Sequence, residues 1–139
     1  MWQEPKTDWA REDEELPADF NRQKTNIEHI ATDTLPSLYY FPVHVHVNDT
    51  DRSTIYRVGL INTLEGNLSA IETCGVPLPP GWEASKTWVA DGPAPDWRDA
   101  NRWERNAKLM YAKGQAVIAA NIGAHYGGNN LTGLRGYNL

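Results

Sequence analysis

Hydrophobic positions recur along this chain in three short stripes. They fall at Phe20, Gln23, Ile27 and Ile30, then at Ile61, Leu64, Leu68 and Ile71, then at Ala100, Trp103, Ala107 and Met110, with Gln23 the one polar member. The spacing i, i+3, i+7, i+10 confines four side chains to one narrow helical face at about 100° per residue. Each stripe therefore predicts an amphipathic helix. The first is expected over residues 17–32, opened by Pro17 and Asp19, and the second from about Ser53 to Gly75, ahead of Pro77. Asp96 and Asp99 form a capping arrangement for the third, which should start near Trp97 and reach Asn121, because Val117, Ile118 and Ile122 extend its pattern past Gly114. Gln23 marks a thinner or partner-facing part of the first stripe.

The stripes sit in a degenerate repeat of about 40 residues, the kind of period that marks repeated supersecondary units. In each, an asparagine follows the first stripe position (Asn21, Asn62, Asn101) and another comes five residues later (Asn26, Asn67, Asn106). The later asparagines fall at the border of the stripe, where an amide can bond a neighbouring helix end or loop backbone. Asp19-Phe20-Asn21-Arg22 is echoed by Asp99-Ala100-Asn101-Arg102, and upstream Lys6-Thr7-Asp8-Trp9 is echoed by Lys86-Thr87-Trp88. Residues 38–47 read differently. They are rich in aromatic and β-branched side chains, with Val43, Val45 and Val47 alternating with His44 and His46, so they predict one strand-like segment, held to an edge by Pro42. Gly127, Gly128, Gly133 and Gly136 define a Gly-rich tail. The expected fold is mainly α, a single domain of three amphipathic helices in degenerate repeats, with Trp/Pro-rich connecting loops, one β-like segment and extended termini. Its parts are an N-terminal arm (residues 1–16), a helical repeat body (17–122) and a C-terminal tail (123–139).

Charge and composition remove several functions. A formal net charge of −5 offers no basic face to a phosphate backbone, so nucleic acid is not an expected partner. No run approaches the roughly 20 apolar residues of a spanning helix, so no membrane is expected either. Cys74 is the only cysteine and can form no intrachain disulfide. Six tryptophans are many for this length, and four of them lie in Pro-, Gly- or Asp-rich stretches outside the stripes. Indoles so placed lock a loop to a core or fill a partner's pocket. Neither residues 1–11 nor residues 126–139 have a periodic face, yet both keep large apolar anchors. The expected partner contacts are therefore Trp2, Trp9, Trp82, Trp88, Tyr126, Leu134, Tyr137 and Leu139.

Candidate chemistry is thin. His44 and His46 place two rings on one face of a strand, but two ligands are too few, so no metal and no cofactor is expected. Cys74 lacks a recognisable Cys/His signature, and no Gly-x-Ser-x-Gly turn is present. Catalytic residues are therefore expected to be none. A saccharide could stack on Trp82, Trp88 or Trp97, which keeps a carbohydrate-binding module as the alternative and a small hydrolase as a third reading.

A Trp-containing lead-in, Asp-x-Asn-Arg, and Asn-x-x-x-x-Asn on a short amphipathic helix together resemble a family of small tail or baseplate proteins of phages and prophages of Gram-positive bacteria. The resemblance centres on residues 2–30 and 82–110. Its commoner motif, Asn-Arg-Ile/Trp-Glu-x-Asn, is complete at Asn101-Arg102-Trp103-Glu104-Arg105-Asn106. The first repeat departs at Gln23 and Lys24, the second at Thr63. The resemblance implies a structural virion component without catalytic residues, a tail or baseplate connector assembled in the bacterial host cytoplasm. Its implied partners are other copies of itself, as a homo-oligomer, and other tail or baseplate proteins.

Overall fold

The computed structural model describes residues 1–127, with side chains through residue 120. Its helices are α1 (Pro17–His29), α2 (Val58–Glu72) and α3 (Trp97–Gly127), and no strand forms among the described residues. The fold is mainly α, as the stripes predict. All their members, Gln23 included, are buried in one core, where Val47, Val76 and Leu35 join them.

Helix boundaries follow local chemistry. The Asp19 carboxylate accepts the Leu16 N–H at 2.8 Å at the start of α1, and Asp99 accepts the Asp96 N–H at 3.0 Å at the start of α3. α2 begins at Val58 rather than near Ser53, because Asp51 draws the preceding residues into a turn. Its carboxylate accepts the Ser53 N–H at 2.8 Å and the Ser53 hydroxyl at 2.6 Å, a local alternative to helix. α2 ends at Glu72, and Gly75 at φ 102° supplies the left-handed turn that follows. α1 stops at His29 and widens into a π turn (Ile30–Thr34), then a 3-10 turn (Pro36–Leu38). α3 runs on through Gly127, so residues 123–127, expected in the tail, belong to the helix.

The π turn seats buried Thr34 against α3 at Gly114. A Cβ on Gly114 would lie 2.4 Å from Thr34 Cγ2. Gly114→Ala should therefore destabilise by about 1–3 kcal/mol through overpacking, although alanine favours an exposed helix interior by about 1 kcal/mol. Thermal unfolding of Gly114→Ala beside Gly114→Ala/Thr34→Ser checks this, since the smaller serine should recover most of the loss.

Two expectations are corrected. The strand-like segment is partly turn, with Tyr39 left-handed at φ 66°, and its remainder is extended without a sheet partner. Val43 and Val45 face out, and only Val47 is buried. The N-terminal arm is part of the fold. Trp9 is 5% exposed in the core, and Trp2 stacks on Tyr111 with ring centroids 3.9 Å apart. Periodicity misassigned the partner of one segment and missed the other because neither makes a hydrogen-bond ladder with a strand; side chains of the helices hold their backbones instead.

Candidate functional site

Three extended segments lie across the helices: strap 1 (residues 2–9), strap 2 (43–50) and strap 3 (82–88). Each is gripped at two places by the repeated asparagines. An extended residue directs its N–H and C=O outward, and one carboxamide can accept the first and donate to the second. On strap 1, Asn26 grips Gln3 at 2.8 and 2.7 Å, and Asn101 grips Trp9 at 2.8 and 3.0 Å. On strap 2, Asn67 grips Val45 at 2.7 and 2.8 Å, and Asn21 grips Thr50 at 2.7 and 3.0 Å. On strap 3, Asn106 grips Glu83 at 3.0 and 2.7 Å, and Asn62 grips Trp88 at 2.8 and 2.8 Å.

The order is cyclic. Each strap meets the second asparagine of the helix that follows it in sequence, then the first asparagine of the helix before. Strap 1, which no helix precedes among the described residues, uses α3. The three strap–helix units thus close into a ring, and strap 1 is the closure.

Buried glutamates fasten the same seams. Glu104 on α3 accepts the Lys6 N–H at 2.9 Å and the Trp9 indole N–H at 2.7 Å, both from strap 1. Arg22 of α1 reaches it with two bonds of 2.8 Å, and Gln23 is the fourth donor residue at 3.3 Å. Glu65 on α2 repeats the pattern, accepting the Lys86 N–H at 3.1 Å and the Trp88 indole N–H at 2.9 Å from strap 3. Arg102 of α3 forks onto it, and Trp103 donates at 3.1 Å. Burial alone would raise the Glu65 carboxyl, but the hydrogen bonds from Arg102 and Trp88 outweigh it and hold the group below the usual range.

The third seam lacks this arrangement. Lys24 occupies the glutamate place in α1 and pairs across strap 2 with Asp49 at 2.6 Å, while Thr63 and Leu64 of α2 stand where the other units carry donors. The two departures from the repeat motif are thus one exchange: with a cation at Lys24, an arginine at position 63 would meet a like charge. Lys24→Glu alone should cost about 2 kcal/mol by leaving an unpaired carboxylate, and Thr63→Arg should return at least half of it. Denaturant midpoints of both single variants and the double variant test that coupling.

No family model, curated protein or solved structure matches this chain.

The residues expected at partner contacts divide. Trp9 is buried, and Trp2, Trp82 and Trp88 pack half-buried against this chain's own core. Strap binding explains this, since the indole N–H of Trp82 goes to Glu72 at 2.9 Å and those of Trp9 and Trp88 go to Glu104 and Glu65. Tyr126 lies in α3 with its side chain outside the described residues, and Leu134, Tyr137 and Leu139 lie outside them altogether. His46 is exposed and meets Glu28 at 2.8 Å, while the other oxygen of Glu28 accepts the Val47 N–H at 3.0 Å. Among the described residues, no group of three or more His, Cys, Asp or Glu side chains is placed to hold a metal ion, and no helix is long and apolar enough to cross a membrane. Sequence reasoning missed Glu65, Arg22 and Lys24 as seam residues. The signal was the placement of Glu65 and Glu104 three residues after an asparagine, coupled to the Lys-Thr-(Asp)-Trp echo they fasten.

A cleft of about 640 Å³ opens where the three helix starts gather, between Phe20, Ile61 and Trp103 below and Tyr56, Trp97 and Arg98 at the rim. Residues 10–16, which link strap 1 to α1, form its other wall through Arg11, Asp13, Glu15 and Leu16. Burial pushes the Glu15 carboxyl up to about 7; Asp19 and Glu104 add repulsion, and Gln23 and Arg22 oppose it. The native state then holds this proton more tightly than the unfolded chain, so Glu15 lowers stability as pH rises from about 4.5 to 7. Glu15→Gln should flatten the unfolding midpoint across that interval. Glu65 acts in a separate window, since its contribution is present above the ordinary carboxylate range and is lost only in stronger acid.

Proposed function

We propose that this chain is a structural subunit, a tail or baseplate connector of a phage-type particle. What supports the reading is the use of the repeat residues: the asparagines, glutamates and arginines of the motif brace the ring internally. On the solvent side of residues 39–45, Tyr39, Phe41, Val43 and Val45 stand between 61% and 89% exposed along one segment. Apolar side chains exposed in succession mark a contact surface. A braced ring with an apolar ridge suits assembly, with other copies and other tail proteins as neighbours.

The test is the particle itself. Mass spectrometry and antibody labelling of purified particles should find the chain at a fixed copy number in the tail. Recovery of the chain only from the free fraction, with complete particles lacking it, would overturn the proposal. The cleft favours one second reading, since Trp97 and Tyr56 beside Glu15 and Arg98 suit a sugar ring between aromatic faces and hydrogen-bonding groups. Binding of isolated protein to cell-wall glycan, lost in Trp97→Ala, would support host recognition instead.

A further inference from the structure

We propose that copies of this chain join by exchanging strap 1, so that residues 2–9 of one copy seat on the Asn26, Asn101 and Glu104 grips of another. The inference rests on the structural reading above and names the contact that would carry it.

Straps 2 and 3 each run between two helices of the ring. Strap 1 is joined to the ring, within the described residues, only through residues 10–16, and its grips on α3 lie 92–98 positions away in sequence. A neighbouring copy offers the same grips. Every bond would be re-formed unchanged, and only the linker would alter.

The linker is suited to alter. Leu16 is exposed, and the cleft of about 640 Å³ that Leu16 and Glu15 line means that the linker covers space it does not fill. Its turn rests on two exposed bonds, from Asp13 N–H to Ala10 O at 3.0 Å and from Ala10 N–H to the Asp13 carboxylate at 2.9 Å. Glu12, Asp13, Glu14 and Glu15 are consecutive acids, and extending the segment would separate them. Strap 1 also carries what an exchanged element needs: Trp9 buried in the core, Trp2 stacked on Tyr111, and two asparagine grips that fix its register.

Concentration decides when exchange occurs. A seven-residue flexible linker spans roughly 15 Å root-mean-square, which holds the strap near its own ring at a millimolar effective concentration. Dilute chains should therefore close on themselves. Chains crowded together during assembly should not.

The experiment uses full chains carrying Cys74→Ser and one further cysteine, either Thr7→Cys or Arg105→Cys. The two sites are neighbours, since the Arg105 guanidinium donates to the Thr7 carbonyl at 3.4 Å, and neither side chain belongs to a grip. The two variants are mixed in denaturant, refolded together and treated with a short bis-maleimide. A chain carrying both cysteines is the control, and refolded dilute it should link within itself. Covalent Thr7–Arg105 heterodimers should be scarce at micromolar protein and, in an equal mixture, should reach about a quarter of the possible pairs near 1 mM, since about half of the straps then exchange and half of those meet the other variant. Absence of that product at 1 mM, while the control links within itself, would overturn strap exchange. Oligomers seen by light scattering without the cross-link would also overturn it, while leaving the assembly reading intact. Cross-linked chains that never enter particles would count against the assembly reading alone.

Discussion

Glu104→Ala is expected to lower stability by about 3–5 kcal/mol, enough to leave much of the chain unfolded near physiological temperature, because small domains have only about 5–15 kcal/mol in total. The carboxylate, carried by a fully buried side chain of α3, accepts donors from two other parts of the ring: the Lys6 N–H and Trp9 indole of strap 1, and Arg22 and Gln23 of α1. Alanine would leave a half-buried guanidinium, a buried indole N–H and a strap amide without partners at once. The cost of such a change is mainly the stranded groups rather than the lost bonds. Glu104→Gln separates the two effects, since it keeps an acceptor and much of the shape while removing the charge facing Arg22, and it should lose about half as much. Urea unfolding followed by circular dichroism measures both. Equal midpoints for wild type and Glu104→Ala would mean that strap 1 does not close the ring.

The sequence reveals the helices far better than the straps, for a physical reason. A stripe at i, i+3, i+7, i+10 is a local statement about one helix, and Leu64, Leu68, Trp103 and Met110 are buried as that spacing requires. A strap has no local statement to make. Residues 2–9 and 82–88 carry no alternation because their backbones bond to asparagine side chains of helices far along the chain, a relation set by folding and not by neighbours in sequence. The asparagines themselves were visible as a repeat, and so was the echo of Lys-Thr before each tryptophan. Their connection was not, since it joins Asn101 to Trp9 across 92 positions. The alternation over Val43, Val45 and Val47 was a true sign of extended backbone, but it says nothing about whether a strand or a carboxamide satisfies it. The tryptophans misled through their setting. Proline- and aspartate-rich surroundings suggest a loop tip turned to a partner, whereas here they are the extended approach to an indole that the next unit of the ring captures.

Deleting residues 1–9 is expected to unfold the ring, with loss of a large share of the helical signal in circular dichroism. The deletion removes Trp2 from Tyr111 and Trp9 from the core, and fully burying a large apolar side chain contributes about 1.5–3 kcal/mol. It also empties two grips, leaving the buried amides of Asn26 and Asn101 and the Glu104 carboxylate without strap donors. An unsatisfied buried polar group costs about 1–3 kcal/mol. Taken together these losses reach the whole stability of a domain of this size. Two point variants guard against the possibility that truncation acts only by exposing a sticky surface. Asn101→Ala should cost about 2 kcal/mol through the stranded Trp9 backbone, and Trp9→Phe should cost about 1 kcal/mol through the lost indole donor, since Arg22 and Gln23 still bond that Glu104 oxygen, each in a chain of full length. If the truncated chain keeps its helicity and melts within a few degrees of the intact one, strap 1 is an appendage and the ring is held by α1, α2 and α3 alone. If both point variants and the deletion fall in the expected order, the closure of the ring by its first segment is what holds the three units together.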